Sequence, residues 1–278
     1  MQSETTLESF LGVVAVCKNE GHVVDEWLEH YRREGVSKFL IVDNGSTDNT
    51  VELLRRHRDV VVIEDSRKHC QNIFLNLYSQ DFLCEWILIV DLDEFMYGSR
   101  TTVAEVLRSL PDDVGAVNVP WISFGSSGHI KQPASVVEGF LWRASYPSGQ
   151  PPWNPGCKEA IRKKAVSRIE LHHNELSNGY KKLDDMLLPY EGVKIEEERL
   201  KRVHIRLNHY FLQSLDFFNT VKAVRGDATS AAADGVRNSA YFERMNMNQT
   251  FDDTLLQKRR REDCVEISYT ASEKDSMQ

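Results

Sequence analysis

Short apolar runs alternating with segments of helical spacing fill the first third of the chain, and this pattern constrains the fold more than any other feature. Leu11 to Cys17 (LGVVAVC), Lys38 to Val42 (KFLIV), Val60 to Ile63 (VVVI) and Trp86 to Val90 (WILIV) are apolar at successive positions rather than alternate ones. That is the signature of strands buried on both faces. Between them, His22 to Gly35 carries Val24, Trp27, Leu28 and Tyr31 on one stripe and ends at a glycine suited to a helix C-terminus. Ser46 or Thr47 is placed to cap a helix running through Arg56, with Val51, Leu53 and Leu54 inward, and Lys68 to Ser79 reads as a third helix with Ile73, Phe74 and Leu77 inward. The order β-α-β-α-β-α-β predicts an α/β fold with a parallel sheet covered on both sides. Ligands of such sheets sit beyond the carboxyl ends of the strands. The residues to examine are therefore Lys18, Asn19 and Glu20, then Asp43 and Asn44, then Glu64 and Asp65, then Asp91 and Asp93.

The pattern changes after Pro111. Val114 to Trp121 and Val136 to Ala144 read as strands, Ser148 to Gly156 as a Pro/Gly-rich loop, and Ala160 to Ile169 as a basic stretch. Together they predict an antiparallel extension with long loops, a usual place for substrate selection. Ser214 caps a helix that Gly226 ends, with Leu215, Phe218, Val221 and Lys222 in sequence along it. The tail from Lys258 is charged, and its last few residues are expected to be mobile.

Composition removes several classes. With 34 basic against 42 acidic residues and a net charge of −8, the chain lacks the basic footprint of a general nucleic-acid binder. Its five cysteines are odd in number and contain no CxxC, which fits neither a zinc nor a disulfide framework. A reducing compartment, the cytoplasm of a bacterium or of a virus-infected cell, is the expectation. No run of about 18 apolar residues predicts a membrane span, and Met1 to Phe10 is too polar to read as a signal peptide.

The sharpest chemical signal is Asp91-Leu92-Asp93 after the fourth strand. Alternation along an extended chain would point both aspartates one way and Glu94 the other. Carboxylates about 5 Å apart repel by on the order of 3 kcal/mol at an effective dielectric near 20, and a divalent cation is the simplest compensation. On that reading Asp93→Ala should leave the melting point nearly intact or raised. An isolated acid pair is otherwise a solvated turn; here it closes a strand in a series whose neighbours also end in acids.

Val16-Cys17-Lys18-Asn19-Glu20, Glu26-Trp27-Leu28-Glu29-His30-Tyr31, Gly35-Val36, Asp43-Asn44-Gly45-Ser46-Thr47-Asp48 and Asp91-Leu92-Asp93-Glu94-Phe95 resemble family 2-like glycosyltransferases, in particular the family 92-like group, also called domain of unknown function 23. The resemblance continues through Trp121, Phe124-Gly125-Ser126-Ser127-Gly128, Lys158 and Asn208-His209-Tyr210 to Arg225-Gly226. It implies a GT-A fold: a Rossmann-like, mainly parallel sheet with helices on both faces and a smaller antiparallel extension. By that resemblance residues 1–10 are an N-terminal extension, 11–110 the nucleotide-sugar-binding half, 111–227 the acceptor-binding half, and 228–278 a C-terminal helical segment and tail.

The same resemblance implies a nucleotide-sugar donor (a UDP-sugar such as UDP-xylose, UDP-galactose or UDP-glucose), a glycan hydroxyl as acceptor, and Mn²⁺ or Mg²⁺. Asp93 looks like the metal ligand that assists the leaving group. Asp91 looks like a ligand or a ribose contact, and His209 like the histidine completing the shell, with His172 and His173 competing for that place. Cys17, Lys18, Asn19, Glu20, Asp43 and Gln71, beside Asn72, fall where such folds hold the donor, and Lys158 where they contact the diphosphate. Phe124, Gly125 and Ser126 match a loop by the acceptor, and Trp121 and Trp153 are candidates to stack on a sugar. Inversion, implied by the resemblance, requires a general base, for which spacing leaves Glu138, Glu159, Glu170, Glu175, Asp184 and Asp185 open.

Competing readings are narrower. A DxD phosphatase places its motif after the first strand and follows it with Thr or Val, where this chain has Phe95 after the fourth. A nicotinamide dehydrogenase needs GxGxxG, and CKNEGHV has one glycine. A carbohydrate-binding protein that has lost activity would keep the fold but break the Asp91, Asp93, His209 set, which is intact. The sequence leaves the oligomeric state open.

Overall fold

A computed structural model describes residues 9–150, 154, 156–226 and 229–275. The expected strands are present as β1 (Ser9–Cys17), β2 (Lys38–Asp43), β3 (Val60–Glu64) and β4 (Cys84–Ile89), joined by α1 (Val24–Arg33), α2 (Thr50–Leu54) and α3 (Gln71–Tyr78). All four pair in parallel, β3 with β2, β2 with β1 and β1 with β4. Beyond β4 the chain continues through β5 (Glu94–Gly98), α4 (Val103–Arg108), β6 (Val114–Ser123), α5 (Val136–Gly139), β7 (Trp142–Arg143), β8 (Cys157–Arg162), β9 (Lys181–Leu183), α6 (Glu197–Leu200) and β10 (Ile205–His209). The strand order is β3-β2-β1-β4-β8-β6-β10-β5, with β9 against the first half of β6. β8 runs antiparallel between β4 and β6, and β5 antiparallel to β10. The chain ends in α7 (Leu215–Phe217), α8 (Ser239–Met245), β11 (Thr250–Phe251), paired with β7, and α9 (Thr254–Asp275).

Both faces of β1, β2 and β4 are buried, which is why these strands show no polar alternation; the edge strand β3 departs from the expectation, with Val61 56% exposed. Leu11, Val13, Ala15, Trp86 and Leu88 join one core with Trp27, Leu28 and Tyr31 of α1. Val14, Leu40, Ile87 and Ile89 join the other with Leu75 of α3. Gly35, at φ +91°, ends α1 as expected, and a Cβ there would meet Ala104 at 2.4 Å. No helix among the described residues is long and apolar enough to cross a membrane, and none of the five cysteines is in a disulfide.

Three local expectations are corrected. On α3, Ile73 and Leu77 are exposed, while Gln71, Phe74 and Leu75 are buried. Gln71 Nε2 donates to Asp91 Oδ1 at 2.9 Å, and Asn76 Oδ1 accepts from the Ile169 N–H at 2.8 Å. At α2 the N-cap position is Asn49, without a side-chain cap, rather than Ser46 or Thr47; Asp48 just before it accepts from the Thr50 N–H at 3.0 Å. The predicted strand Val136 to Ala144 is a helical turn followed by a two-residue strand. Ser135 Oγ accepts from the Glu138 N–H, and the Glu26 carboxylate accepts from Val136 and Val137 at 2.7 and 3.2 Å, so the exposed amides of a helix start find partners. The helix after Ser214 is α7 followed by a π-helical turn, Phe218–Lys222, a departure that often marks functional sites.

Candidate active site

Strand direction brings distant residues to one edge of the sheet. β1, β2, β4, β6 and β10 all finish there, at Cys17, Asp43, just before Asp91, at Ser123 and at His209; the antiparallel β5 and β8 start there, at Glu94 and Cys157. A cleft opens over this edge. Its walls include Cys17, Lys18, Glu20, Gln71, Asp91, Asp93, Trp121, His172, His209, Lys222 and Arg225.

Asp91-Leu92-Asp93-Glu94 is a turn, closed by the Glu94 N–H donating to the Asp91 carbonyl at 3.0 Å, and not the end of an extended strand. The alternation expected of it is lost: Glu94 does not point away but folds back, its Oε2 accepting from the Asp91 N–H at 2.9 Å. Each acid has its own cation. Asp91 Oδ2 accepts from Lys158 Nζ at 2.8 Å while its Oδ1 takes Gln71. Asp93 Oδ2 accepts from Lys222 Nζ. Burial alone would raise the Asp93 carboxyl, but Lys222, His209 and Arg225 outweigh it and hold it well below the ordinary range. Lys158 is fully buried; burial would strip its proton, and Asp91 and Glu94 reverse that. Glu94 is raised by burial, which Lys158 only partly offsets.

His209 Nε2 lies 3.8 Å from Asp93 Oδ1 and 3.9 Å from Glu94 Oε1. Burial pushes the imidazole down to about 4, with Asp93 pulling the other way, so the ring is neutral at pH 7 and able to ligate. Among the described residues no three His, Cys, Asp or Glu side chains are grouped to cage a metal. Mg²⁺ needs no such cage, since it is bound through one or two carboxylates plus substrate phosphates, and a carboxylate with an imidazole suits Mn²⁺ equally. Asp93 and His209, with Glu94 Oε1 and His209 Nδ1 lacking hydrogen-bond partners among the described residues, fit that description. Asp91, both of whose oxygens are engaged, fits it less well.

The other expected donor residues divide. Cys17, Lys18, Glu20 and Gln71 line the cleft. The Cys17 thiol is pushed up by burial and by Asp43. Asp43 and Asn19 do not line it: Asp43 Oδ2 accepts the Gly45 and Ser46 amides, and Asn19 Oδ1 accepts from the Thr47 N–H at 2.7 Å, so both hold the loop after β2, and Asn44 faces the cleft instead. Lys158 lies beneath Asp91, out of the cleft. Of the acceptor-side residues only Trp121 lines it. Phe124 is buried against Tyr210, and the Ser126 N–H donates to Asn246 Oδ1 at 2.7 Å, with Gly125 packed on Asn248. Trp153 is outside the described residues.

None of the six carboxylates offered as base reaches the cleft lining. Glu159 is buried against Lys182 and Asn174 at 2.6 and 2.8 Å. Asp184 and Asp185 hold Arg199; burial lifts Asp185 to about 6 although Arg199 pulls it back. Glu138 and Glu175 are exposed, and Glu170 pairs with Arg168 at 2.7 Å. Lys222 and Arg225 were not singled out by the sequence as site residues. The signal was there: Lys222 sits four residues after Phe218, on a buried stripe, where a lysine needs a carboxylate partner.

Residues 19–147 match the family model of Glycosyltransferase family 92. A family 92 protein of Oryza sativa subsp. japonica is 28% identical over 188 residues, and one of Ricinus communis is 23% identical over 189. Each alignment covers 61% of this chain and about a third of the relative, 30% and 32%. Among solved structures, a mannosyltransferase from Pyrobaculum calidifontis, in complex with GDP-Man and Mn²⁺, is 21% identical at a TM-score of 0.37, covering 58% of this chain and 46% of its own. With the parallel β1 to β4 block and the acidic turn after β4, the chain is similar over residues 19–147, a little under half its length, to glycosyltransferase family 92.

Proposed function

We propose that this chain transfers one sugar from a nucleotide-sugar to a glycan hydroxyl, with inversion. The observation that carries the reading is the cleft itself: Asp93 and His209 face one another 3.8 Å apart at the carboxyl edge of the sheet, with Lys222 and Arg225 on the same wall. Asp93 and His209 would hold a Mn²⁺ or Mg²⁺, which when bound supplies Lewis-acid stabilisation of the departing diphosphate. Lys222 and Arg225 add fixed positive charge beside that leaving group, in a site partly closed to water, where such charge acts strongly. Cys17, Lys18 and Asn44 offer backbone and side-chain polar groups for a nucleoside beyond β1 and β2. Trp121 presents an aromatic face for the sugar or acceptor. UDP-sugars such as UDP-xylose, UDP-galactose and UDP-glucose are the first donors to try, with GDP-mannose beside them.

The test is nucleoside diphosphate release from a panel of UDP- and GDP-sugars, with and without Mn²⁺. Release from one donor that depends on the metal and falls at least about 10²-fold in Asp93→Asn supports the reading. A panel on which the chain neither binds nor turns over any donor overturns it, and would return the chain to the non-catalytic carbohydrate-binding alternative.

A further inference from the structure

An inverting transfer needs a group to take the proton of the attacking hydroxyl, and the carboxylates that the sequence offers for this are all elsewhere. On the cleft lining each acid is paired with a cation: Asp91 with Lys158, Asp93 with Lys222, and Glu20 through Oε1 with Arg225, its Oε2 buried without a hydrogen-bond partner among the described residues. His209 faces Asp93 and Glu94 on the side where the metal would bind. Tyr241 is a phenol raised further by burial. Among the described lining residues, His172 is an imidazole away from that side with a ring nitrogen open to accept.

Its geometry is suited to the task. Nδ1 lies 2.9 Å from the Cys157 carbonyl oxygen. A carbonyl only accepts, so Nδ1 carries the hydrogen and the neutral ring leaves Nε2 as a bare acceptor. Among the described residues Nε2 has no hydrogen-bond partner. Cys157 is fixed in β8 opposite Pro120 of β6. The indole of Trp121 stands edge-on to the His172 ring at 5.4 Å and lies against His209 at 4.3 Å. One aromatic ring thus separates His172 from the leaving-group side of the cleft.

Resting on the transferase reading above, we propose that His172 is the general base of the reaction, its Nε2 taking the proton from the acceptor hydroxyl. The acceptor oxygen forms its bond to the anomeric carbon as the bond from that carbon to the phosphate oxygen breaks. The electron pair of the broken bond leaves with the nucleoside diphosphate. His172 ends as an imidazolium, still donating through Nδ1 to Cys157, and returns its proton to water after release. Burial keeps the resting ring neutral, helped by Lys158 and His173, against the Cys157 carbonyl and Asp91, which favour the proton.

The experiment uses the whole chain with the donor that the panel identifies. His172→Asn keeps an N–H for the Cys157 carbonyl and removes the acceptor; His172→Gln is the second variant. His173→Gln, whose side chain is 55% exposed and off the cleft, is the control. Expected are UDP or GDP binding in the presence of Mn²⁺ within about twofold of the parent, turnover lower by about 10²–10³, partial rescue by free imidazole, and a parent rate that falls on acidification through the range of a histidine. Parent-like turnover in both variants, or a parent profile flat from about pH 5 to 8, overturns the assignment of His172 while leaving the transferase standing. Absence of any turnover by the parent overturns the transferase reading and this one together.

Discussion

Asp93 and Lys222 set the energetics of the site at the scale of single residues. Both side chains are under a tenth exposed, at 8% and 2%, so each offsets the other's buried charge. Asp93→Ala does not relieve a repulsion, as the bare DxD motif suggests; it leaves the Lys222 ammonium buried with Glu20, 3.7 Å away, as its remaining acid. Breaking a buried pair from one side costs about 3–5 kcal/mol, so the melting point should drop by many degrees. Asp93→Ala with Lys222→Met should recover much of that loss in a thermal melt while staying inactive. His209 makes the second prediction. Unfolded, it takes a proton near its ordinary value of 6.5; folded, it stays neutral down to about 4. Between those values the unfolded chain binds more protons, so stability is full above about pH 6.5 and is lost as pH falls towards 4, by at most about 3 kcal/mol. Buried His30, also lowered by burial and by Arg259, acts in the same direction. A urea titration series from pH 7 to 4 should show the slope, and His209→Gln should flatten it.

Elements decide where these residues meet. β6 and the end of the loop before β8 approach so closely that a Cβ on Gly156 would lie 1.9 Å from the Trp121 ring. Gly156→Ala should therefore displace Trp121 from between His172 and His209. Turnover is expected to fall by at least about tenfold, with a loss of about 1–3 kcal/mol from overpacking, read by steady-state kinetics beside a melt. At α4 the Thr102 hydroxyl accepts from the Glu105 N–H at 3.2 Å while the Glu105 carboxylate accepts from the Thr102 N–H at 2.8 Å. Thr102→Ala should cost about 1 kcal/mol and leave turnover unchanged, since α4 is away from the cleft. The stripe of α1 is legible in sequence because Val24, Trp27, Leu28 and Tyr31 repeat over about two turns. The short α3 is not, because an eight-residue helix makes its polar contacts, Gln71 to Asp91 and Asn72 and Asn76 to Leu171 and Ile169, with distant segments that no local pattern reports.

For the molecule as a whole, charge pairs tie the C-terminal segment to the sheet. Asp252 is 4% exposed and its Oδ2 accepts from Arg143 and Arg206, each at 2.7 Å. Those arginines come from β7 and β10, with Glu197 completing the set at 2.8 Å from Arg143. Asp252→Ala leaves two buried guanidiniums short of an acid and should cost about 3–5 kcal/mol, more than the loss of any exposed pair such as Arg56 with Glu52. Denaturant unfolding of the two single variants, Asp252→Ala and Glu52→Ala, makes the comparison. Lys258 of α9 likewise meets buried Glu34 of α1, so the last helix is held against the first.

What the sequence determined by itself is the parallel half: runs such as LGVVAVC and WILIV have no polar face, so they must be covered on both sides, and the acids that follow them must gather at one edge. The place of Asp91 and Asp93 at that edge was legible for the same reason, though the turn they form was not. What only the tertiary structure decided is which side chains share that edge. β8 and β5 enter antiparallel, bringing Lys158 and Glu94 to the place where β10 ends at His209, and a π-helical turn sets Lys222 against Asp93. Those meetings depend on strand direction and pairing between segments tens to more than a hundred residues apart, and neither is written in local periodicity.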